Sequence, residues 1–269
     1  MAQRTIHSKV VVKQIAPDPS ASEVSEAVAA ALKDLGGMAR FLKRGQSVLI
    51  KPNLGRPLEP GNPENADWRV VEAVVTLVKK AGAGRIAIAE GTFGMNTPQA
   101  FEKTGVAQVA RRHGLELIDI NEDKFVKVPV RRGTVLKNVE VARSVLEADR
   151  LVNLPAFKAS IDLTTDLGRE YPISMSMKNL KGAISPQARK HFHDLGYQKA
   201  VADLISVVRS DLIVMSGLRA CVSEDWAAQR QERGLPLGLI IVGNDVVAVD
   251  ALASTLVGYD PMAIEQILS

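Results

Sequence analysis

The sequence predicts an α/β protein: a mostly parallel sheet flanked by helices, with a central β-hairpin insertion. Three observations lead there. Short apolar runs alternate with stretches of helical period along most of the 269 residues. Aliphatic side chains dominate while aromatics make up only 4%, the balance of a sheet buried on both faces and built from Val, Ile, Leu and Ala. Neither a Gly/Ser linker nor an internal repeat interrupts the chain, so a single α/β domain over 1–269 is expected.

The elements follow in order. Residues 9–15 are a β-branched run and read as the first strand, after which Ser20 or Ser22 can cap an Ala-rich helix reaching about Leu35. Residues 47–50 form a strand, which Pro52 in Lys51-Pro52-Asn53 is expected to stop, and a loop rich in Pro, Gly and Asn runs to about Ala66. Asp67 is placed to cap a helix in which Val70, Val71, Val74, Val75 and Val78 recur at helical spacing, ended by Ala81-Gly82-Ala83-Gly84. RIAIAE at 85–90 is a strand; the glycine loop GTFGMN, a helical stretch near 98–112 and a strand at 115–120 come next. Residues 125–141 alternate around Arg132-Gly133 as a hairpin. A short helix at 142–148 leads into a strand at 150–154 that closes on Pro155. After an irregular stretch, 197–209 reads as a helix, 211–216 and 237–242 as strands, and 245–257 as a helix with Asp245 at its start and Gly258 at its end.

The charge is mildly basic, 34 Lys and Arg against 30 Asp and Glu. That suits a small anionic ligand, and no basic face interleaved with aromatics points to nucleic acid. Cys221 is the only cysteine, which excludes an intrachain disulfide and a four-thiolate iron–sulfur cluster built by this chain alone. The first residues lack the apolar core of a secretory signal, and no apolar run approaches the roughly 20 residues of a membrane span. A cytoplasmic protein outside the membrane is expected, with homodimerisation left open.

In α/β sheets ligands sit beyond the C-terminal ends of the strands. Four unusual peptides are expected there: Lys51-Pro52-Asn53, Glu90-Gly91, Asn153-Leu154-Pro155 and Gly243-Asn244-Asp245. Lys51 can offer an ammonium to an anion, with Asn53 beside it. Glu90 can act as a base, bind a metal, or simply pair with Lys51. The segment 174–193, SMSMKNLKGAISPQARKHFH, carries Lys178, Lys181, Arg189, Lys190, His191 and His193 and no carboxylate, as a flexible anion-handling segment would. Lys178 and Lys181 share a face on a helical turn and, with Arg189, can clamp a phosphate or dicarboxylate, while Asn179 adds a neutral donor. A lysine crowded by cations loses basicity, so Lys178 is a candidate base or nucleophile. Lys158 stands beyond the 150–154 strand as a further cation. His191 and His193 would share a metal only on an extended segment; one of them as acid/base or single ligand is expected. Asp250 lies mid-helix on an apolar face and needs a partner: a nearby Lys or Arg, or a shifted pKa that makes it functional. His113 reads as a helix C-terminal cation, His7 as a surface residue and Cys221 as inert.

The strings VLIKPNL, NLPAFK, SMSMKNLKG, R-K-H and GNDVVAVDALASTLVG occur in order from about 48 to 261. In them the chain resembles the domain-of-unknown-function 362 family. The resemblance implies an α/β domain marked here by Lys51, Asn53, Glu90, Lys158, Lys178, Asn179, His191 or His193, and Asp250. Many longer relatives carry a cysteine-rich ferredoxin-like segment and are labelled iron–sulfur oxidoreductases. This chain departs from that pattern in its single cysteine, in Ser160 where relatives often show His, and in a charged, Trp-bearing stretch at 222–233 where relatives are rich in Gly and Pro. It also ends soon after Gly258-Tyr259-Asp260-Pro261, where relatives usually continue, which implies an element beyond this chain. Lys178 followed by His191 and His193 is in addition similar to lactate racemases, in which a lysine carries a nickel-pincer nucleotide and a histidine ligand follows.

Three functions are therefore expected from different classes. The leading one is an enzyme of unknown reaction acting on a small anionic substrate through a Lys/His-rich site. The alternatives are an oxidoreductase component using a metal or a partner's redox centre, and a non-catalytic anion-binding module. The cofactor is unknown.

Overall fold

The computed structural model describes residues 8–16, 18–160, 172–223 and 234–269. His7 and all but the first two residues of the 222–233 stretch lie outside them. Ten strands are described: β1 (Val10–Gln14), β2 (Ser47–Pro52), β3 (Arg85–Glu90), β4 (Glu116–Asp119), β5 (Phe125–Pro129), β6 (Asn138–Ala142), β7 (Arg150–Leu154), β8 (Ala156–Ser160), β9 (Leu212–Ser223) and β10 (Leu235–Gly243). The main sheet has the order β1-β10-β9-β7-β2-β3-β4, and β8 lies along β9 beyond the end of β7. Strands β2, β3, β4, β7, β8 and β9 pair in parallel, whereas β10 is antiparallel to both β9 and β1. The expected mostly parallel α/β sheet is thus the one found, and β5 and β6 form the central antiparallel hairpin.

The strands are apolar along their whole length because both sheet faces are covered. Ile50, Val152, Val214 and Val242 face α1 (Ala21–Asp34) and α2 (Trp68–Lys80) in one core. Their neighbours Leu49, Leu151, Ile213 and Ile241 point the other way. On that side lie the hairpin, α8 (Tyr197–Ile205) and α9 (Val246–Leu256). Ser20 and Glu23 close α1 with a reciprocal capping box, and Asp67 caps α2 through Arg69 N. Val70, Val71, Val74 and Val75 are wholly buried, each contributing roughly 1.5–3 kcal/mol by leaving water.

Some expectations are corrected. The helical stretch near 98–112 is two helices, α3 (Thr97–Lys103) and α4 (Val106–His113), because Gly105 turns the chain at φ 85°. Pro52 does not stop β2. Pairing to β3 has ended at Ile50↔Ile88, so the missing N–H of Pro52 breaks no bond on that side, while pairing to β7 continues through Pro52↔Leu154. The chain after Pro155 forms strand β8 where an irregular stretch was expected. The segment 174–193 is no flexible loop: it folds into α6 (Ser176–Asn179), a 3-10 turn (Leu180–Ala183) and α7 (Pro186–His191), with Met177, Leu180, Ala183, Ile184 and Phe192 buried in the core. A short α5 (Arg143–Glu147) precedes β7, and α10 (Glu265–Leu268) lies near the described C-terminus.

Asp203 on α8 ties the hairpin loop to the body by accepting from Thr134 N, Val135 N and Leu136 N, each at 2.8 Å. Burial pushes this carboxyl up, but the three backbone donors outweigh it and its pKa falls below the usual Asp value. The stability it contributes is therefore present above the unfolded pKa and lost as pH falls through the lowered folded one. Asp203→Asn places an amide where those donors need an acceptor. We predict a loss of about 1–3 kcal/mol at neutral pH, read as a lower Tm, and a shallower loss of stability on acidification. An unchanged Tm would show that the loop is held by other contacts.

Candidate functional site

Lys51 projects from β2 on the same side as Leu49, toward the 174–193 segment. It is 0% exposed, and its ammonium donates to Glu90 Oε1 at 2.8 Å, Asn179 Oδ1 at 3.1 Å and Pro52 O at 3.4 Å. All three of its protons are thereby placed. Glu90 Oε1 also accepts from Gly91 N at 2.7 Å, and Oε2 from Leu54 N at 2.9 Å. Burial pulls the Lys51 pKa below the ordinary lysine range; Glu90 opposes this and Arg189 adds to it. Of the roles open to Glu90, the structure shows pairing with Lys51.

Asn179, at the end of α6, locks this pair to the neighbouring strand. Its Nδ2 donates to Asn153 Oδ1 at 2.7 Å and its Oδ1 accepts from Asn53 Nδ2 at 3.2 Å, while Asn153 Nδ2 donates to Ser176 O at 2.9 Å. Asp250 anchors the start of α6. It accepts from Ser176 N at 2.8 Å, Met177 N at 2.9 Å and the Ser176 hydroxyl. The cation expected beside Asp250 is thus replaced by a hydroxyl and two amides. Complete burial nonetheless pushes its carboxyl up to about 6 against those hydrogen bonds. Asp250 does not line the cavity.

Arg189 is buried rather than reaching out as a clamp. Its guanidinium donates to the main-chain oxygens of Ile184, Gly91 and Gly182 and to Asn121 Oδ1. Two glycines permit this packing. A Cβ on Gly182 would lie 2.5 Å from Glu90 Oε1 and 2.6 Å from Lys51 Nζ, and one on Gly91 would lie 2.3 Å from Arg189 Nη2.

Above this floor opens a cavity of about 350 Å³ whose lining includes Asn53, Glu90, Lys158, Lys178, Asn179, Lys181, Arg189 and His193. It gathers the ends of β2 and β3 and the middle of β8 with α6 and α7. Lys181 Nζ stands 4.6 Å from the ring centre of Tyr197 and 5.1 Å from that of Phe93, and Lys178 Nζ stands 5.2 Å from Tyr197. The two lysines do meet one aromatic wall, each contact contributing about 0.5–1 kcal/mol at such a partly exposed place. Lys158 Nζ donates to Asn53 Oδ1 at 2.6 Å and Glu64 O at 2.9 Å. Burial lowers its pKa, opposed by Cys221, Glu64 and Glu90 and reinforced by Arg56.

Other expected participants lie elsewhere. His191 ends α7 with a side chain 71% exposed, facing Asp194 at 3.6 Å; the segment is helical there, so the extended geometry needed for a shared metal is not met. Among the described residues no three His, Cys, Asp or Glu side chains gather into a metal-binding group. Gly243 pairs with Ile213 of β9, in the same row as Asn153 of β7 and Lys51 of β2, but β10 runs antiparallel to β9 and none of Gly243, Asn244 and Asp245 lines the cavity; Asp245 caps α9 through Val247 N and Ala248 N. His113 ends α4 and contacts Glu72 at 3.3 Å. Cys221 is buried, which raises its thiol pKa to about 11. Sequence reasoning did not single out Arg56, Glu64, Phe93 and Tyr197 of the lining; Phe93, an aromatic within a glycine loop after a strand, offered a signal.

Comparison with known proteins came to the following. Residues 48–255 match the family described as Domain of unknown function (DUF362). A thylakoid-associated protein of Synechocystis sp. is 24% identical over 239 residues, 87% of this chain and 70% of the relative. A Thermotoga maritima protein solved in a structural genomics programme aligns with a TM-score of 0.51 at 13% identity, covering 91% of this chain and 60% of its own. The lactate racemase apoprotein of Thermoanaerobacterium thermosaccharolyticum gives a TM-score of 0.51 at 13% identity, covering 87% of this chain and 55% of its own. The chain thus spans little more than half the length of these two solved proteins, and the likeness to them is one of fold. Among the described residues no helix is long and apolar enough to cross a membrane.

Gly182→Ala tests the floor of the site. The added methyl must displace the Lys51–Glu90 pair, so we predict about 1–3 kcal/mol of destabilisation in thermal unfolding. A wild-type Tm would mean that the 3-10 turn moves aside at no cost.

Proposed function

The chain belongs to the DUF362 family, and from that premise we propose that it is an enzyme acting on a small anionic substrate at the strand C-terminal ends. The supporting observation is the charge balance of the cavity. Among the described residues, Arg56, Lys158, Lys178, Lys181 and Arg189 line it together with two carboxylates, Glu64 and Glu90. Both carboxylates are engaged, Glu64 by Arg56 at 3.3 Å and Glu90 by Lys51 at 2.8 Å. A concavity with more cations than carboxylates among its described residues, partly desolvated, favours an anion of matching size.

In this reading Lys178 and Lys181 hold the anionic end, and the aromatic wall of Phe93 and Tyr197 excludes water from it. Lys158 and His193 are the side chains placed to exchange a proton with the bound molecule. Lys51, Glu90, Asn53, Asn179 and Arg189 are positioning residues, since their polar atoms are spent on one another and on the backbone. The lactate racemase neighbour is named for a small carboxylate, but at 13% identity the anionic character proposed here rests on this cavity's own charges. Lys178 and His193 line one cavity, so a lysine and one imidazole are present for a metal-bearing nucleotide. Further metal donors would have to come from the nucleotide itself, and no step of this proposal runs through it.

Thermal unfolding with oxalate, malonate, phosphate and pyrophosphate tests the reading. At a hundredfold excess over Kd a ligand adds about 2.7 kcal/mol, at about 2–4 °C per kcal/mol. At least one anion is expected to raise the Tm, and the Lys178→Ala/Lys181→Ala double variant to abolish the rise. A rise that persists in the double variant would move the anion elsewhere, and no rise with any anion would count against an anionic substrate.

A further inference from the structure

Lys158 differs from the other cations of the cavity. It enters from β8, the strand that continues along β9 after Pro155, whereas Lys178 and Lys181 come from α6 and the 3-10 turn after it. Among the described residues both of its hydrogen-bond partners, Asn53 Oδ1 and Glu64 O, are neutral oxygens. Two N–H bonds donated in this way leave the third position on Nζ for the lone pair of a neutral amine. Gly55 keeps the neighbouring space open: even a Cβ there would stand 3.8 Å away, in ordinary contact with Nζ. Lys51, in contrast, is sealed beneath the cavity and paired with a carboxylate, which holds its proton. Burial also shifts Lys158 toward the unprotonated form, the form that attacks carbon.

We propose that Lys158 Nζ is a nucleophile that forms an imine with a small anionic aldehyde or ketone, such as a 2-oxo acid, whose anionic end is held by Lys178 and Lys181. This rests on the anionic-substrate reading above and adds the carbonyl to it. The neutral amine adds to the carbonyl carbon, forming the C–N bond, while a proton passes from nitrogen to oxygen to give a carbinolamine. The C–O bond then breaks, and the oxygen leaves as water carrying both hydrogens of the original amine. The imine nitrogen, once protonated, withdraws electrons from the adjacent carbon and eases loss of a proton or carboxylate there. Asn53 and the Glu64 carbonyl orient the amine for attack.

Trapping with glyoxylate and cyanoborohydride, followed by peptide mass spectrometry, tests this directly. Reduction converts an imine into a stable carboxymethyl amine on the lysine that formed it. Lys158 is expected to be the most heavily labelled lysine, with the label lost from this position in Lys158→Arg and reduced at Lys158 in Lys178→Ala/Lys181→Ala. Oxalate, which has no aldehyde or ketone carbonyl, separates the two readings. If oxalate raises the Tm but Lys158 stays unlabelled, the imine is overturned and the anion site stands. If Lys158 is labelled equally in the double variant, the nucleophile stands and its link to the anion site is overturned. Labelling spread over exposed lysines, with Lys158 no higher than the rest, overturns the proposal in wild-type protein without relying on any variant.

Discussion

A lysine and a glutamate with almost no contact with water, 2.8 Å apart, set the terms for everything around them. Desolvating two charges costs several kcal/mol per ion, and the attraction between them repays it only when every remaining donor and acceptor is placed. Here each one is. Lys51 is completed by Asn179 and Pro52 O, and Glu90 by the amides of Leu54 and Gly91. Those partners come from β2, β3 and α6, so satisfying the pair assembles the strand ends and the lysine-rich segment into one unit. Gly182 is part of the same constraint, because its backbone closes over the pair at a distance that excludes a side chain.

The cavity follows from this floor. Arg189, a further buried charge, is satisfied by carbonyl oxygens rather than by a carboxylate. Lys178 and Lys181 lie above it against Tyr197 and Phe93, cations placed over aromatic faces near other cations. An incoming anion meets a field that the protein has already built, and Lys158 meets it from the other side, from β8. Asp250 works from behind, fixing where α6 begins.

Much of this was legible in the sequence. RIAIAE carries its strand in its alternation and in the glycines that follow, and Asp67 marks its helix because the valines behind it repeat at helical spacing. The pairing of Glu90 with Lys51 could be named as one option, since both end apolar strands. Other features were not legible, for physical reasons. Strand direction leaves no trace in local periodicity, so Gly243-Asn244-Asp245 was grouped with the C-terminal ends of the parallel strands although β10 runs antiparallel to β9. AFKAS after a proline is too short and too plain to announce β8. Arg189 beside Lys190 and His191 reads as surface charge, and nothing local shows that carbonyls 98 residues away in sequence, at Gly91, will receive it. Asp250 asked for a partner that turned out to be a helix start rather than a cation.

The central claim is that the buried Lys51–Glu90 pair holds the 176–193 segment over the strand ends. Hydrogen–deuterium exchange on Lys51→Met measures this most directly, segment by segment, and leaves the core of α1 and α2 as an internal reference. The account predicts faster exchange across 176–193 and the Leu54 and Gly91 amides, with α1 and α2 still protected. Unchanged protection across 176–193 would contradict it.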